Sequence, residues 1–415
     1  MVRTDRLAIT RRVRTFLSQT LVIAFLLGLA SAPSASALQN GLARTPPMGW
    51  NPWYRFQCDV NEALIRQTAR AMVSSGMKAA GYRYVNLDDC WMARTRDASG
   101  SLVPDAAKFP SGIRALADYV HRKGLRFGIY ADMGAATCAE FPGSRGHFDQ
   151  DARTFAAWGV DYLKLDACQT TPEELGPGSA GAMLAALRRA RRPTVFSLAT
   201  AGGHIPISQL TPWIWAGRFA HLWRTTDDFT RHHPRAQAWD GLMEVLDINA
   251  GLSRYARPGA WNDPDLLQVG NPPLTPREGR SIFSLWSMMA APLIADNDLR
   301  AMSAYDRQTL TNREVIAIDQ DRAGIQGTRV RTSAGREIWV RRLANGDRAV
   351  LLFTRRAMAA RFAVGLGALA YGHGGVYAVR NLWTHRTTAA RGPIGVSVPG
   401  HGVAMFRVRR IGAAG

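Results

Sequence analysis

The chain has 415 residues, 47% hydrophobic and 20% charged, with a formal net charge of +20. That length carries two or three domains, or one barrel plus a small module. The longest apolar run, LVIAFLLGLA, is too short to span a membrane stably, which excludes a membrane-spanning chain. The charge does not by itself point to nucleic acid: the arginines are scattered along the chain, and an excess of arginine over only four lysines (Lys78, Lys108, Lys123 and Lys164) is expected from coding composition.

The first element is an export leader. Arg3, Arg6, Arg11, Arg12 and Arg14 precede the apolar run, and Ala35-Ser36-Ala37 follows as a small-x-small cleavage pattern. The expected mature chain starts near Leu38, is secreted, and carries +16 once the five arginines and Asp5 are gone. Arg11-Arg12 leaves both the general and the twin-arginine routes open. Cys58, Cys90, Cys138 and Cys168 suit an oxidising compartment, so disulfides are expected, and the spacing alone leaves three connectivities open. Zinc is the rival, but no CxxC or HExxH spacing supports it.

From residue 48 to about 318, β-rich runs alternate with stretches of helical period. The runs are MGWN, YRYVNLDDC, LRFGIYADM, DYLKLDAC, TVFSLAT, HLWRTTDD, GAWNDPDLL and APLIADND. Between them lie amphipathic segments such as NEALIRQTARAMVSSGM, GIRALADYVHRKG and PREGRSIFSLWSMMA. Eight strand-helix repeats over roughly 270 residues predict an α/β fold, a closed (β/α)₈ TIM barrel. A doubly wound sheet would want a glycine-rich phosphate turn after its first strand, and none is present. After about residue 320 the pattern turns all-β: EIWVRRL and AVLLF flank Asn345-Gly346, a type I′ hairpin signal, and VYAVRNLW and VAMFRV follow. The expected organisation is a leader over 1–37, a catalytic barrel over 38–319, and a C-terminal antiparallel β-sandwich over 320–415.

Barrel chemistry sits at the C-terminal ends of the strands. There the sequence places Asp88 and Asp89, Tyr130 and Asp132, Lys164 and Asp166, Arg224 with Asp227 and Asp228, Asp263 and Asp265, and Asp296 and Asp298. Asp at a strand end often only caps the next helix, and that role is expected for Asp296 or Asp298. An acidic rim with tryptophans beside it suits an uncharged, polyhydroxylated ligand. Glycoside cleavage needs two carboxyl groups in different protonation states. Asp166, two residues from Lys164, is expected to have a depressed pKa and remain an anion. One of Asp227 and Asp228, in an apolar, like-charged setting, is expected to hold the proton for the leaving oxygen. A metal hydrolase would want His-x-His near a strand end, and a serine hydrolase GxSxG; neither appears.

From about Asn40 to Arg407 the chain resembles the α-galactosidases (melibiases) of glycoside hydrolase family 27. The strings that carry the resemblance are GLARTPPMGWNPW, NLDDCWMARTRD, FGIYADMGAATCAEFPGS, WGVDYLKLDAC, WRTTDDF, WNDPDLLQVGN, VIAIDQD, NLWTHR and HGVAMFRV. The resemblance implies a cofactor-free, metal-free hydrolase acting with retention by double displacement on terminal α-galactosides of oligo- or polysaccharides, with no nucleic-acid or membrane partner. It implies Asp166 as nucleophile and selects Asp228 as acid/base. It implies sugar contacts at Trp53, Asp88, Asp89, Tyr130, Cys138, Lys164, Arg224 and Asp265, and disulfides Cys58–Cys90 and Cys138–Cys168. One departure stands out. Where many members read S-L-C-E-W-G, this chain reads SLATAGG, with Thr200 at the glutamate position and Ala201, Gly202 and Gly203 after it. A wider pocket at the sugar's 2-position follows, so α-N-acetylgalactosaminidase or a dextran-directed activity is the alternative among enzymes. A non-catalytic carbohydrate-binding protein is the alternative outside them.

Overall fold

A computed structural model describes residues 38, 40–200, 206–365, 369, 371 and 375–412. The leader and Ala201, Gly202 and Gly203 lie outside the described residues. Among the described residues no helix is long and apolar enough to cross a membrane.

Eight parallel strands form one sheet: β1 Met48–Trp50, β2 Tyr84–Asn86, β3 Arg126–Asp132, β4 Tyr162–Asp166, β5 Val195–Ala199, β6 Leu222–Arg224, β7 Trp261–Asp263 and β8 Leu293–Ala295. They pair in the order β7-β6-β5-β4-β3-β2-β1-β8, and a parallel bridge between Leu267 and Ala295 ties the chain beyond β7 to β8, curling the sheet into a barrel. All eight predicted runs contain one of these strands. Parallel strands covered on both faces bury nearly all their side chains, as in β1, β2, β7 and β8, where every residue is buried.

The helices follow local signals. Asn61 caps Glu62–Ser74 by accepting from Leu64 N, 2.9 Å. Thr275 and Glu278 form a capping box with Pro276 at the first position of Pro276–Met289. A helix at Ala238–Ala250, after β6, was not among the expected segments.

Inside the barrel, β4 alternates as its sequence suggests. Tyr162 lies in a floor cluster with Tyr84, Val195, Leu222 and Trp261, while Leu163 and Leu165 belong to the main core cluster. Lys164 and Asp166 continue upward on the Tyr162 side, two residues apart each time. Crowding explains Gly128 on β3: a Cβ there would stand 2.0 Å from Asn86 Oδ1.

The C-terminal part is a β-sandwich. A six-stranded antiparallel sheet runs β14-β13-β16-β11-β10-β9, and β12 pairs with β15 in a second sheet. The strands are β9 Thr328–Ser333, β10 Arg336–Arg342, β11 Arg348–Thr354, β12 Ala360–Val364, β13 Val376–Asn381, β14 Thr387–Ala390, β15 Ile394–Val398 and β16 Val403–Gly412. One face of the large sheet puts Trp339, Leu351, Phe353 and Met405 into the barrel's own core cluster, against Pro276–Met289. The other face packs with Phe362 and Val398 of the small sheet. The Asn345-Gly346 hairpin forms, but not as type I′. Leu343 N donates to Asp347 O at 3.0 Å around a three-residue loop in which only Gly346 has positive φ (89°). A type I turn closed by a left-handed glycine is the favoured three-residue solution.

Candidate active site

The barrel mouth holds a cavity of about 330 Å³. Trp53, Asp88, Asp89, Tyr130, Cys138, Lys164, Asp166, Cys168, Arg224, Asp228 and Asp265, all expected from the sequence, line it together. Cys58 and Cys90 both lie outside that lining; both expected disulfides, Cys58–Cys90 and Cys138–Cys168, are formed, and no free cysteine remains.

One group gathers on Asp88. Its Oδ2 accepts from Lys164 Nζ (2.9 Å) and Asn51 Nδ2 (2.5 Å), and its Oδ1 from Asp89 N (2.9 Å). Asp89 in turn accepts from Cys90 N and Ala139 N, and burial raises its pKa. These bonds hold two carboxyl groups rigidly side by side. Across the cavity, Arg224 pairs with Asp228 Oδ1 (2.9 Å) and Asp265 Oδ2 (3.0 Å), and Tyr54 donates to the same Asp265 oxygen at 2.6 Å. Burial raises the pKa of Asp265 as well. Asp265 holds φ at +100°, a costly backbone conformation for a non-glycine residue, and bonds from Trp286 Nε1 and Leu266 N fix it there.

Asp166 sits at the end of β4. Its Oδ1 accepts from Ala167 N at 3.0 Å. Its Oδ2 faces Lys164 Nζ at 3.9 Å and Cys138 Sγ at 3.8 Å, and a disulfide sulfur has no hydrogen to donate. One oxygen is therefore held while the other is left open toward the cavity.

The electrostatics correct the expectation that Lys164 depresses this group. Burial pushes the Asp166 pKa up, the like charges of Asp132 and Asp228 add to that, and Lys164 offsets only part of it. The lysine is closer to Asp88 than to Asp166, and it remains protonated because those two carboxylates outweigh its own burial. The two acids also differ in exposure. Asp166 has 10% of its side chain exposed, whereas Asp228, at the mouth beside Thr230 and Arg231, has 37%. Asp227 does not line the cavity and pairs with Arg231 at 3.9 Å.

A second correction concerns Thr200. Side chains alternate along β5, so Ala199 lines the cavity, while Thr200 is buried away from that lining with its hydroxyl unpartnered among the described residues. Asp298 caps a short helix through Arg300 N, as expected for one of that pair.

Asn51 and Tyr54 were not expected at the site, and Asp132 and Asp263 were expected on its acidic rim without a specific role. Asn51, Tyr54 and Asp263 line the cavity. Asn51 lies within the quoted GWNPW string and Tyr54 directly after it, but only the fold reveals their bonds to Asp88 and Asp265. Asp132 accepts from Gly134 N (2.7 Å) and Cys168 N (2.8 Å), and its carboxyl lies within 4.8 Å of the Asp166 carboxyl. The same cluster includes Cys138 and Cys168, but their sulfurs are joined in a disulfide and offer no thiolate to a metal ion.

An eight-stranded barrel with paired carboxyl groups, a lysine and arginines around a sugar-sized mouth defines a glycoside hydrolase. The comparisons with known proteins then give the family. The sequence model for alpha galactosidase A matches residues 45–321, and that for the alpha galactosidase C-terminal beta sandwich domain matches 333–408, so the chain belongs to the α-galactosidase (melibiase) family. The chain is 42% identical to alpha-galactosidase 2 of Arabidopsis thaliana, covering 95% of this chain and 97% of that one. It is 41% identical to the alpha-N-acetylgalactosaminidase of Gallus gallus, over 84% of this chain and 88% of that one. The crystal structure of alpha-galactosidase I from Mortierella vinacea superposes with a TM-score of 0.83 at 32% identity, covering 91% of this chain and all of that one.

Proposed function

We propose that the protein is a secreted α-galactosidase that hydrolyses terminal α-D-galactosyl groups with retention. The observation that carries this is the pairing of a deep, half-tethered carboxyl group, Asp166, with a second one at the mouth, Asp228, in one cavity. A sugar ring seated between them exposes its anomeric carbon to the open Asp166 Oδ2, while the leaving oxygen points outward to Asp228. In the first step, Asp166 Oδ2 bonds to the anomeric carbon as the glycosidic C–O bond breaks and Asp228 gives its proton to the departing oxygen. In the second, Asp228 takes a proton from water, whose oxygen displaces Asp166. Asp88, Asp89, Lys164 and Arg224 supply fixed hydrogen bonds to ring hydroxyls, and Trp53 and Tyr130 supply apolar faces. Residues 1–37 serve as leader, 38–319 as catalytic barrel and 320–415 as accessory sandwich.

A second reading, α-N-acetylgalactosaminidase, draws support from Ala199, whose methyl side chain is all that β5 offers the cavity. Side-by-side rates on p-nitrophenyl α-galactoside and p-nitrophenyl α-N-acetylgalactosaminide test the choice. A preference for the first is expected, and equal or inverted rates overturn it. Proton NMR of the first-formed sugar tests retention: the α-anomer is expected, and the β-anomer refutes double displacement.

A further inference from the structure

The positive charge is far from even along the chain. Residues 320–415 contain 16 arginines and no lysine, against only Asp321, Glu337 and Asp347, a formal +13, whereas residues 38–319 come to +3. Exchanging lysine for arginine leaves net charge unchanged, so a coding preference does not account for the difference. The sandwich is basic because it lacks acid.

Several of its arginines are engaged. Arg329 and Arg355 pair with Asp247 and Glu337, Arg380 with Glu314 and Arg407 with Asp347, while Arg341 is buried against backbone carbonyls. Ten others are exposed and have no acidic partner in the ion pairs of the described residues, and four of these, Arg342, Arg391, Arg409 and Arg410, are set apart by where the strands carry them.

The strand register gathers them at one end of the six-stranded sheet. Arg342 on β10 stands opposite Arg348 on β11, and Arg348 opposite Val408 on β16. Arg409 and Arg410 follow directly on β16, opposite Ala378 and Tyr377 of β13. Tyr377 is in turn opposite Ala390, the last residue of β14, and Arg391 comes next. At roughly 4.8 Å between strands, the four arginines span an edge of about 20 Å, with Arg342 and Arg410 leaving it on one face of the sheet and Arg391 and Arg409 on the other.

We propose that this end of the sandwich binds an acidic polysaccharide, whose carboxylates are taken up by Arg342, Arg391, Arg409 and Arg410. The planar guanidinium fork matches a carboxylate bidentately, and a row of such forks along a sheet end suits a chain bearing one carboxylate per sugar. A single-stranded nucleic acid wants aromatic stacking platforms, but no strongly exposed large apolar side chain among the described residues is aromatic. A membrane surface wants a broad apolar face, and Ile411 is the one strongly exposed large apolar residue at this end. This binding is a second activity, independent of catalysis in the barrel.

The test uses the full mature chain on immobilised polygalacturonate. Retention at about 50 mM NaCl and release by about 300 mM are expected, since screening weakens such contacts. Replacing the four residues together (Arg342→Ser, Arg391→Ser, Arg409→Ser and Arg410→Ser) is expected to weaken affinity at least about tenfold, with turnover of p-nitrophenyl α-galactoside unchanged as proof of folding. A control removing equal charge elsewhere (Arg322→Ser, Arg331→Ser, Arg336→Ser and Arg361→Ser) is expected to lose less than about threefold. The proposal is overturned if the unaltered chain is not retained, or if both variants weaken binding equally. Tighter binding to duplex DNA or to phosphatidylserine vesicles than to polygalacturonate at equal salt overturns it too.

Discussion

The cavity in the barrel mouth and the face where barrel meets sandwich both bury ionised side chains, but they finish the job differently. At the interdomain face, Glu337 accepts from Trp339 Nε1 (2.8 Å), Arg329 (3.2 Å) and Arg355, and both arginines also reach Asp247. Arg341 gives hydrogens to Ser287 O and Asp319 O, and His401 stacks on Trp239 while bonding Glu278 at 2.6 Å. Arg341 Nε apart, charge there closes on protein. In the cavity, Asp166 keeps one oxygen open, and Arg224 is held between two carboxylates that face the same void. Burying charge is costly unless partners satisfy it, so the open groups imply that a ligand completes them.

The largest effect expected from this contrast falls on Asp166. Asp166→Asn removes the attacking oxygen, and kcat on p-nitrophenyl α-galactoside should fall at least about 10⁴-fold while the melting temperature holds or rises. A variant retaining a tenth of the activity would sink the nucleophile assignment. Asp228→Asn should cost about 10² to 10⁴ in kcat on raffinose, whose leaving group needs a proton, and markedly less on a nitrophenyl glycoside, whose leaving group needs little help. Equal losses on both substrates would argue against an acid at that position.

On the other side of the comparison, Glu337→Ala should lower stability by about 2 to 3 kcal/mol, because Arg329 and Arg355 keep Asp247 but lose their buried partner. Chemical denaturation reads that loss, and kcat per folded molecule should not change. A fall in kcat without a fall in stability would mean that the two regions are not separable as argued.

Much of the barrel was legible because its signals are local and repeated: strand runs at even spacing, caps such as Asn61 and Thr275, and acids at successive strand ends. The site residues were legible mainly through the family resemblance, and the fold then explains why those positions matter. What escaped depended on facing and on long-range burial. Thr200 versus Ala199 turns on which of two adjacent residues points inward. Tyr54 reaches Asp265, 211 positions away, which no local pattern reports. The protonation of Asp166 was misjudged because its sequence neighbour Lys164 is visible, whereas burial and the approach of Asp132 and Asp228 are not. Four sandwich strands were missed: β9 and β14 are almost wholly exposed and show no alternation, while β12 and β15 do alternate but over only five residues each.

Asp132 gives the finest probe of the open cavity. It accepts two backbone hydrogens, lies within 4.8 Å of the Asp166 carboxyl, and adds a like charge to the burial that already raises the Asp166 pKa. Because the folded state holds that proton more tightly than the unfolded chain, it binds more protons between the ordinary carboxylate range and the raised value. Stability contributed by Asp166 is therefore greatest at low pH and declines as pH rises through that window. Activity follows the opposite course, since attack needs the anion, so the acidic limb of kcat/KM should lie above the ordinary carboxylate range. Asp132→Asn removes the neighbouring charge, leaves burial in place, and should move that limb down by about half to one pH unit, with kcat at the plateau changed less than about tenfold. Asn offers one acceptor where the carboxylate offered two, so a modest loss of stability should accompany the shift. A stability loss with the limb unmoved would reduce Asp132 to a bracket for the loop carrying Cys168 and leave burial and Asp228 as the causes of the high Asp166 pKa.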